Sequence, residues 1–264
     1  MTPSTPLKGL PLAVLDVETT GIDPETDHVV EVAVVHTTLS PDATPRVVLS
    51  RRVRPPIPIP EAASRVHGIT DEDVEGCPTW EEVLPGVLAA CADRAVVAYN
   101  APFDMGFIPE LPGPWLCAAI PARVIKPWEW AQEQVCEARG IDLEPHGAAG
   151  DTVATALLYP DLLDEASRGK VWGHDLAMLH RWQRREALAA EASFCRWARG
   201  KAKARRPDCP WHDIYAEEAP PWPPRPRPSS VCDCGVLVTV RITRDGTLGV
   251  LDPDDNPHTC RGAA

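Results

Sequence analysis

Two carboxylates lie close together where a buried strand should end. Residues 12–15 are apolar, and Asp16 and Glu18 follow in the stretch LAVLDVETTG with no basic residue near them. Because residues two apart on a strand project from the same face, both acids should point to one side of a sheet, near the carboxyl end of their strand. Two carboxylates a few ångströms apart repel each other unless a proton or a cation lies between them. The alternative is a pair of solvated acids before a Thr-Thr-Gly turn.

Two more acids follow in settings that resemble the first. Asp104 comes just past the β-rich run AVVAY, in YNAPFDMGF, after Asn100 and Phe103. Asp151 stands in HGAAGDT, five residues after His146, where a helix can begin. Each has a simpler interpretation: both acids could cap helices, and His146 could be a surface histidine.

Together these residues indicate a site for divalent cations. Mg²⁺ and Mn²⁺ prefer oxygen ligands such as carboxylates, water and substrate phosphate. Four carboxylates, those of Asp16, Glu18, Asp104 and Asp151, are enough for two ions about 3.5–4 Å apart that hold a scissile phosphate. A histidine that titrates near neutral pH can take a proton from the attacking water, and His146 fits that role.

The elements that must position these residues belong to an α/β domain with a mixed sheet. Apolar runs bounded by turn signals predict strands at 12–18, 28–36, 46–53 and 95–99, and a short fifth strand near 115–120. Short turns between the first three strands favour antiparallel pairing, and the later alternation of helices and strands favours parallel pairing. A helix begins at Thr79, with Glu82 completing a capping box. Further helices are predicted at 128–139, 151–159 and 174–199.

The order of the motifs resembles a known family of nucleases. D-x-E-T-T-G, then N-x-x-F-D, then H-x4-D is similar to the pattern of the DEDDh-type 3′–5′ exonucleases, the group of the proofreading epsilon subunit of bacterial DNA polymerase III and of RNase T. The stretch RVHGITDED at 65–73 is similar to a further part of that family. The resemblance covers about residues 10–160. It implies an RNase H-like sheet, with three antiparallel strands followed by parallel strands, flanked by helices.

The resemblance also implies a role for individual residues. Asp16, Glu18, Asp104 and Asp151 would hold two Mg²⁺ or Mn²⁺ ions, and His146 would be the general base. Contacts with the terminal nucleotide would come from the main chain at Thr19 and from His67, Asn100 and Phe103.

The sequence therefore predicts a metal-dependent 3′–5′ exonuclease. It would release nucleoside monophosphates from single-stranded or frayed DNA, with a DNA polymerase or another replication or repair protein as a partner. Two alternatives stay open. One is an exoribonuclease of the same fold, since nothing in the sequence reads the 2′-hydroxyl. The other is a catalytically silent adaptor that binds nucleic acid.

Composition and charge set the limits of this prediction. The formal net charge of −12 repels nucleic acid at long range, so binding must be local. No apolar run approaches the ~20 residues needed to cross a bilayer, and no signal peptide precedes Asp16, so we expect a cytoplasmic protein with no membrane association. Most of the nine cysteines stand singly, as buried free thiols do.

Four segments are predicted along the chain. Residues 1–165 form the exonuclease domain, and residues 166–206 form a basic amphipathic helical extension that either guides the substrate strand or presents a solvated face. Residues 207–230 are a proline-rich linker, which contains PPWPPRPRP. Residues 231–264 are a small β-hairpin module.

The C-terminal module carries a candidate zinc site. Two predicted strands flank Arg-Asp-Gly, and a hairpin folded about Asp245-Gly246 places Cys234 opposite Pro257 and Cys232 opposite Thr259. This register brings Cys232 and Cys234 beside His258 and Cys260, a set of ligands that suits tetrahedral Zn²⁺. Two alternatives stay open: free cysteines, or a site that uses Cys209 and His212.

Overall fold

The computed structural model describes residues 1–126, 129–141 and 147–199, together with three short strands between residues 230 and 251. Side chains are described as far as residue 187. The chain divides into two units, Met1–Glu218 and Ala219–Ala264. The boundary near residue 165 and the linker at 207–230 stay predictions.

A five-stranded mixed sheet is the centre of the first unit. Its order is β3-β2-β1-β4-β5. β1, β2 and β3 pair antiparallel, whereas β4 and β5 run parallel to β1. The predicted sheet is therefore confirmed. Its strands are β1 (Pro11–Thr19), β2 (Val29–Thr38), β3 (Arg46–Arg52), β4 (Ala95–Ala98) and β5 (Trp115–Cys117).

Eight α-helices and one short 3-10 helix (Val171–Gly173) are present in the described part of this unit. The α-helices are α1 (Glu61–His67), α2 (Asp71–Val74), α3 (Trp80–Cys91), α4 (Ala101–Phe107), α5 (Ala119–Ile125), α6 (Gln132–Ala138), α7 (Ala148–Ser167) and α8 (Leu176–Arg199). The predicted capping box of α3 is confirmed, since Thr79 N donates to Glu82 Oε2 over 2.8 Å. The predicted helices at 128–139 and 151–159 correspond to α6, which is shorter, and to α7, which extends further at both ends.

The two faces of the sheet are covered differently. Ala13, Leu15 and Val17 of β1 pack in the main apolar cluster, which also contains Val83 and Val87 of α3. The residues between them on β1 therefore face the opposite side. Helix α7 contacts β1, β2 and β3. Asp16 and Glu18 belong to this second set, so strand alternation points both acids away from the main apolar cluster.

Helix α8 closes the open edge of the sheet at β5. Gln183, which is 2% exposed, accepts from Cys117 N over 3.2 Å and donates to Cys117 O over 3.0 Å. Its amide nitrogen also lies 2.9 Å from Tyr159 Oη. The side chain of Gln183 thus pairs with the edge strand as a neighbouring strand would, which satisfies backbone groups that would otherwise be buried without partners.

The start of α8 is held by the N-terminal segment of the chain. Leu7 N donates to His174 O, and Leu176 N donates to Thr5 O. Met178 N donates to Asp175 Oδ1 over 2.8 Å, so the free N–H groups of the first helical turn have partners. None of the described helices is long and apolar enough to cross a bilayer.

The second unit contains the predicted hairpin, but its register differs from the prediction. The strands are β6 (Ser230–Val231), β7 (Leu237–Ile242) and β8 (Leu248–Leu251), with β7 in the middle. Ile242 pairs with Leu248, which is one residue away from the register that sets Cys234 opposite Pro257. Residues 243–247, which include the predicted Asp245-Gly246 turn, lie outside the described residues. The proposed zinc ligands Cys232, Cys234, His258 and Cys260 lie outside the described residues.

Candidate active site

Two half-buried acids project from the end of β1. Asp16 and Glu18 lie opposite Ala33 and Glu31 of the neighbouring strand β2. Directly after Glu18 the pairing shifts by one residue, and the strand then ends at Thr19. The two carboxylates therefore stand at the carboxyl edge of the sheet, as the sequence predicts.

The third acid, Asp104, comes from the helix that follows β4. Because β4 runs parallel to β1, its carboxyl end lies at the same edge of the sheet. Asp104 is 2% exposed, and its Oδ1 atom has no hydrogen-bond partner among the described residues. The helix N-cap is Asn100, four residues earlier, so the interpretation of Asp104 as an N-cap is wrong.

The fourth acid, Asp151, lies in the first turn of α7. One carboxylate oxygen each from Asp16, Glu18 and Asp151 lies within 4.8 Å of the others. Within the described residues these three form the only group of three or more Asp, Glu, His or Cys ligands at such distances. The N-cap of α7 is Gly147, so the interpretation of Asp151 as an N-cap is also wrong.

The electrostatics of the cluster show how unfavourable its negative charge is without a cation. Burial, reinforced by Asp104, Glu18 and Asp151, raises the pKa of Asp16 well above its ordinary value of 3.8. Burial and the charge of Asp151 raise the pKa of Glu18 to about 7. Burial also raises the pKa of Asp104 to about 8, although backbone N–H groups, including that of Val17, act in the opposite direction.

These residues fit a divalent cation. The donors are carboxylate oxygens, which Mg²⁺ and Mn²⁺ prefer. Asp104 is not part of the group of three, but its unpartnered Oδ1 atom would offer a further oxygen close to the charge of Asp16. The pKa values of Asp16 and Glu18 are raised, and no basic residue lowers them. A bound cation would therefore stabilise the charged form of both carboxylates.

A fifth acid, Glu31, was not identified from the sequence. It lies opposite Glu18, and its charge contributes to the raised pKa values of both Asp16 and Glu18. Its position as the only charged residue within the apolar run VVEVAVV was a usable signal. Strand pairing, which the sequence shows only indirectly, is what brings it beside the site.

Three of the remaining predicted site residues are close in sequence to the acids: Thr19, Asn100 and Phe103. Thr19 directly follows Glu18, and its Oγ1 donates to Gly21 O over 2.5 Å. Asn100 and Phe103 lie at the start of α4 with Asp104, and the Phe103 ring packs against Phe107 with 5.0 Å between centroids.

His67 ends helix α1 and is 9% exposed. Its Nδ1 accepts from Ile69 N over 3.1 Å, an arrangement that leaves the proton of the neutral ring on Nε2. Gly68, at φ 73°, is the left-handed residue that ends the helix there and lets this bond form. His146 lies outside the described residues, so its role as general base stays a prediction.

Comparison with known proteins identifies relatives of this chain. Residues 13–110 match the RNase T family model, which is described as an exonuclease. The chain is 30% identical over 160 residues to exodeoxyribonuclease 10 of Escherichia coli K12, covering 69% of that protein and 58% of this one. It is also 30% identical over 164 residues to the DNA polymerase III epsilon subunit of Aquifex aeolicus, covering 80% of that protein and 58% of this one.

Solved structures show the same fold. Exonuclease X in complex with 5′-overhanging duplex DNA is 29% identical, with a TM-score of 0.50 over 59% of this chain and 93% of that one. E. coli exonuclease I in complex with a dA16 oligonucleotide is 13% identical, with a TM-score of 0.55 over 68% of this chain and 45% of that one. These likenesses, together with the sheet order, confirm the predicted RNase H-like fold.

Proposed function

This chain belongs to the exonuclease family and is a 3′–5′ exonuclease, and we propose that it acts on single-stranded or 3′-frayed DNA through two metal ions held by Asp16, Glu18, Asp104 and Asp151. One observation carries the proposal. Oxygens of three acids from two separate elements lie within 4.8 Å of one another, with the buried Asp104 close enough to raise the pKa of Asp16. Such a concentration of buried negative charge is unfavourable unless it holds a cation.

Exonucleases of this family depend on divalent metal ions, and Mg²⁺ and Mn²⁺ are the ions that we propose here. When bound, a pair of such ions polarises the scissile phosphate, lowers the pKa of the attacking water and stabilises the departing oxygen. The contribution of this chain is to hold the ligands at one edge of a rigid sheet. Asp16 and Glu18 are fixed by β1, whereas Asp104 and Asp151 are fixed by the first turns of α4 and α7.

The other predicted residues complete the reaction. We propose that His146 takes a proton from the water that attacks the terminal phosphorus. The bond from phosphorus to the departing 3′ oxygen then breaks, and a nucleoside 5′-monophosphate leaves. The main chain at Thr19 and the side chains of His67, Asn100 and Phe103 would orient the terminal nucleotide.

The solved complexes of Exonuclease X and exonuclease I contain an overhanging duplex and a single strand of DNA, respectively, which favours DNA over RNA as the substrate of this chain. Since an epsilon subunit of DNA polymerase III and PolC-type DNA polymerase III are among its relatives, we propose a polymerase or another replication or repair protein as a partner.

A DNA substrate and the free thiols of Cys77, Cys91, Cys117 and Cys136 favour a cytoplasmic location. Zinc binding by Cys232, Cys234, His258 and Cys260 stays a prediction.

Digestion of matched 5′-labelled DNA and RNA oligomers, with Mg²⁺ or Mn²⁺, tests this function. We expect a ladder that shortens from the 3′ end of single-stranded DNA and stops when a chelator is added. Asp104→Asn keeps the shape of the side chain but removes a ligand charge, so it should lower kcat by about 100-fold or more while the protein stays folded. Release of the 5′ label as a mononucleotide without a ladder would contradict the 3′–5′ polarity, and an RNA ladder alone would contradict the proposed DNA substrate.

Asp161→Asn is the matched control for this experiment. Asp161 is an exposed acid on α7, well past the first turn that carries Asp151. The same chemical change there should leave the ladder at the wild-type rate. A similar loss in both variants would mean that the effect of Asp104→Asn is not specific to the site.

A further inference from the structure

Glu31 lies in a row of charged residues that crosses three strands. Glu18 of β1 pairs with Glu31 of β2, which in turn pairs with Arg52 of β3. Directly opposite residues on antiparallel strands share a face, so all three side chains lie on the face that α7 covers. Glu31 therefore separates a predicted metal ligand from the nearest basic residue of the row.

Both oxygens of Glu31 face groups other than the three clustered acids. Its Oε2 accepts from Ala148 N over 3.0 Å, and its Oε1 lies 3.9 Å from Arg52 Nε. Ala148 is the first residue of α7, three positions before Asp151. A carboxylate at the N-terminus of a helix is favoured both by the free N–H groups and by the helix dipole.

A second side chain holds the same helical turn from another element. Gln132 of α6 donates through Nε2 to Asp151 O over 2.8 Å and to Thr155 Oγ1 over 3.2 Å. The first turn of α7 is thus held by Glu31 from the sheet and by Gln132 from a neighbouring helix. These are long-range contacts, since 117 and 19 residues separate the bonded partners in sequence.

We propose that Glu31 is a positioning residue for the nuclease site, acting through its bond to Ala148 N. It fixes the start of α7 against β1 and β2, and so sets where Asp151 meets Asp16 and Glu18. This inference rests on the proposed function and extends it to a residue outside the four acids.

Two conservative substitutions distinguish the hydrogen bond from Ala148 N to Glu31 from the effect of the negative charge of Glu31. Glu31→Gln keeps the length of the side chain and an oxygen that can accept from Ala148 N, but it removes the charge. Glu31→Asp keeps the charge but is one methylene shorter, so it withdraws the acceptor. We expect Glu31→Gln to keep kcat within about threefold of the wild type, and Glu31→Asp to lower kcat by about 10–100-fold.

The kinetic signature should show in the metal dependence and not in DNA binding. For Glu31→Asp, the Mn²⁺ concentration that gives half-maximal rate should rise by about tenfold, while KM for a single-stranded oligomer stays within about threefold. The opposite order of the two variants, with Glu31→Asp active and Glu31→Gln impaired, would overturn the proposal in favour of a role of charge. Wild-type kinetics in both variants would overturn it as well.

Amide hydrogen exchange at Ala148 gives a second measurement that needs no turnover. Exchange should be faster in Glu31→Asp than in the wild type and nearly unchanged in Glu31→Gln. If the wild type digests no DNA, the proposed function fails, while this measurement still reports whether Glu31 holds the start of α7. Equal protection of Ala148 N in all three proteins would overturn the positioning role of Glu31 while leaving the proposed function intact.

Glu165 provides the matched control on the same helix. It lies near the other end of α7, where its Oε2 is 2.7 Å from Arg139 Nη2 and its side chain is 56% exposed. Glu165→Gln and Glu165→Asp should both keep wild-type kcat and metal dependence, because this partly exposed ion pair contributes little to stability and lies at the far end of α7 from Asp151. A loss equal to that of Glu31→Asp would show that any change in α7 disturbs the site.

Discussion

At the scale of single residues, the site is a set of acids that are placed where their charge is least favourable. Asp104 is almost fully buried, and Asp16 and Glu18 are half-buried, with no basic side chain among the causes of their pKa shifts. A protein keeps such an arrangement only when something else compensates for the charge. Bound cations would do so, and the stability of the metal-free protein should then reveal the cost.

The metal-free protein should lose stability as the pH rises. Carboxyls whose folded-state pKa is raised bind their protons more tightly in the folded state, so their stabilising contribution is complete below their ordinary values of 3.8 and 4.5. That contribution is lost as the pH passes through the folded values, about 7 for Glu18 and about 8 for Asp104. Tm in the presence of a chelator should therefore fall between about pH 5 and about pH 9.

Mg²⁺ should reverse this trend, because metal ligands must lose their protons to bind. Calorimetry should show that saturating Mg²⁺ raises Tm more at the alkaline end of the range than at the acidic end. Asp104→Asn, which removes a buried charge, should raise the Tm of the metal-free protein at high pH relative to the wild type. If the Tm of the metal-free wild type and that of Asp104→Asn depend on pH in the same way, this explanation of the raised pKa values is contradicted.

At the scale of elements, helix α8 is joined to the sheet by a polar contact inside an apolar interface. Leu176, Leu179 and Trp182 give α8 its buried stripe, which the sequence predicts from helical spacing. Gln183 adds specificity, because its amide matches the donor and acceptor of Cys117 on the edge strand. The contact fixes how α8 lies along β5.

Gln183→Leu should therefore destabilise the protein although it adds apolar surface. The change leaves the N–H and C=O of Cys117 buried without partners and removes a partner of Tyr159, at a cost of about 1–3 kcal/mol for an unsatisfied group. The free energy of unfolding in urea should fall by about 2 kcal/mol or more. Gln134→Leu is the control: it changes an exposed glutamine on α6 whose Oε1 accepts from Ala131 N over 3.3 Å, and it should lower the free energy of unfolding by no more than about 1 kcal/mol, the cost of one exposed hydrogen bond. Equal effects of the two substitutions on the free energy of unfolding would argue against a specific contribution of the hydrogen bonds between Gln183 and Cys117.

The elements also show what could be read from the sequence. The strands were predictable, because β-branched runs such as AVVA and VVEVAVV are bounded by clear turns. The short helices α1, α2 and α5 were not predicted, because seven or fewer residues carry too little periodicity. The fifth strand was predicted to reach about residue 120, but β5 ends at Cys117 and the chain is helical from Ala119.

The residues of the site also divide into those with a local sequence signal and those without one. The four acids were predictable as candidate ligands because each stands near the end of an apolar strand or near the start of a helix. Glu31 and Gln132 were not, because their roles arise from contacts with α7 that are distant in sequence. Local sequence patterns identify candidate ligands, whereas the contacts that hold these residues in place depend on the tertiary structure.

At the scale of the whole molecule, the acidic chain must bring a polyanion to an acidic site. With a net charge of −12, attraction between the bare protein and DNA is absent at long range. Bound cations would supply the positive charge at the point where the phosphate must lie. The central claim is therefore that the four acids, which are distant in sequence, bind metal ions together at one edge of the sheet.

Anomalous diffraction at the manganese edge, from crystals soaked with Mn²⁺ and a nucleoside 5′-monophosphate, tests that claim most directly. The account predicts two anomalous peaks about 3.5–4 Å apart, in contact with oxygens of Asp16, Glu18, Asp104 and Asp151. Manganese peaks that lie elsewhere on the protein, with none in contact with these carboxylates, would contradict it.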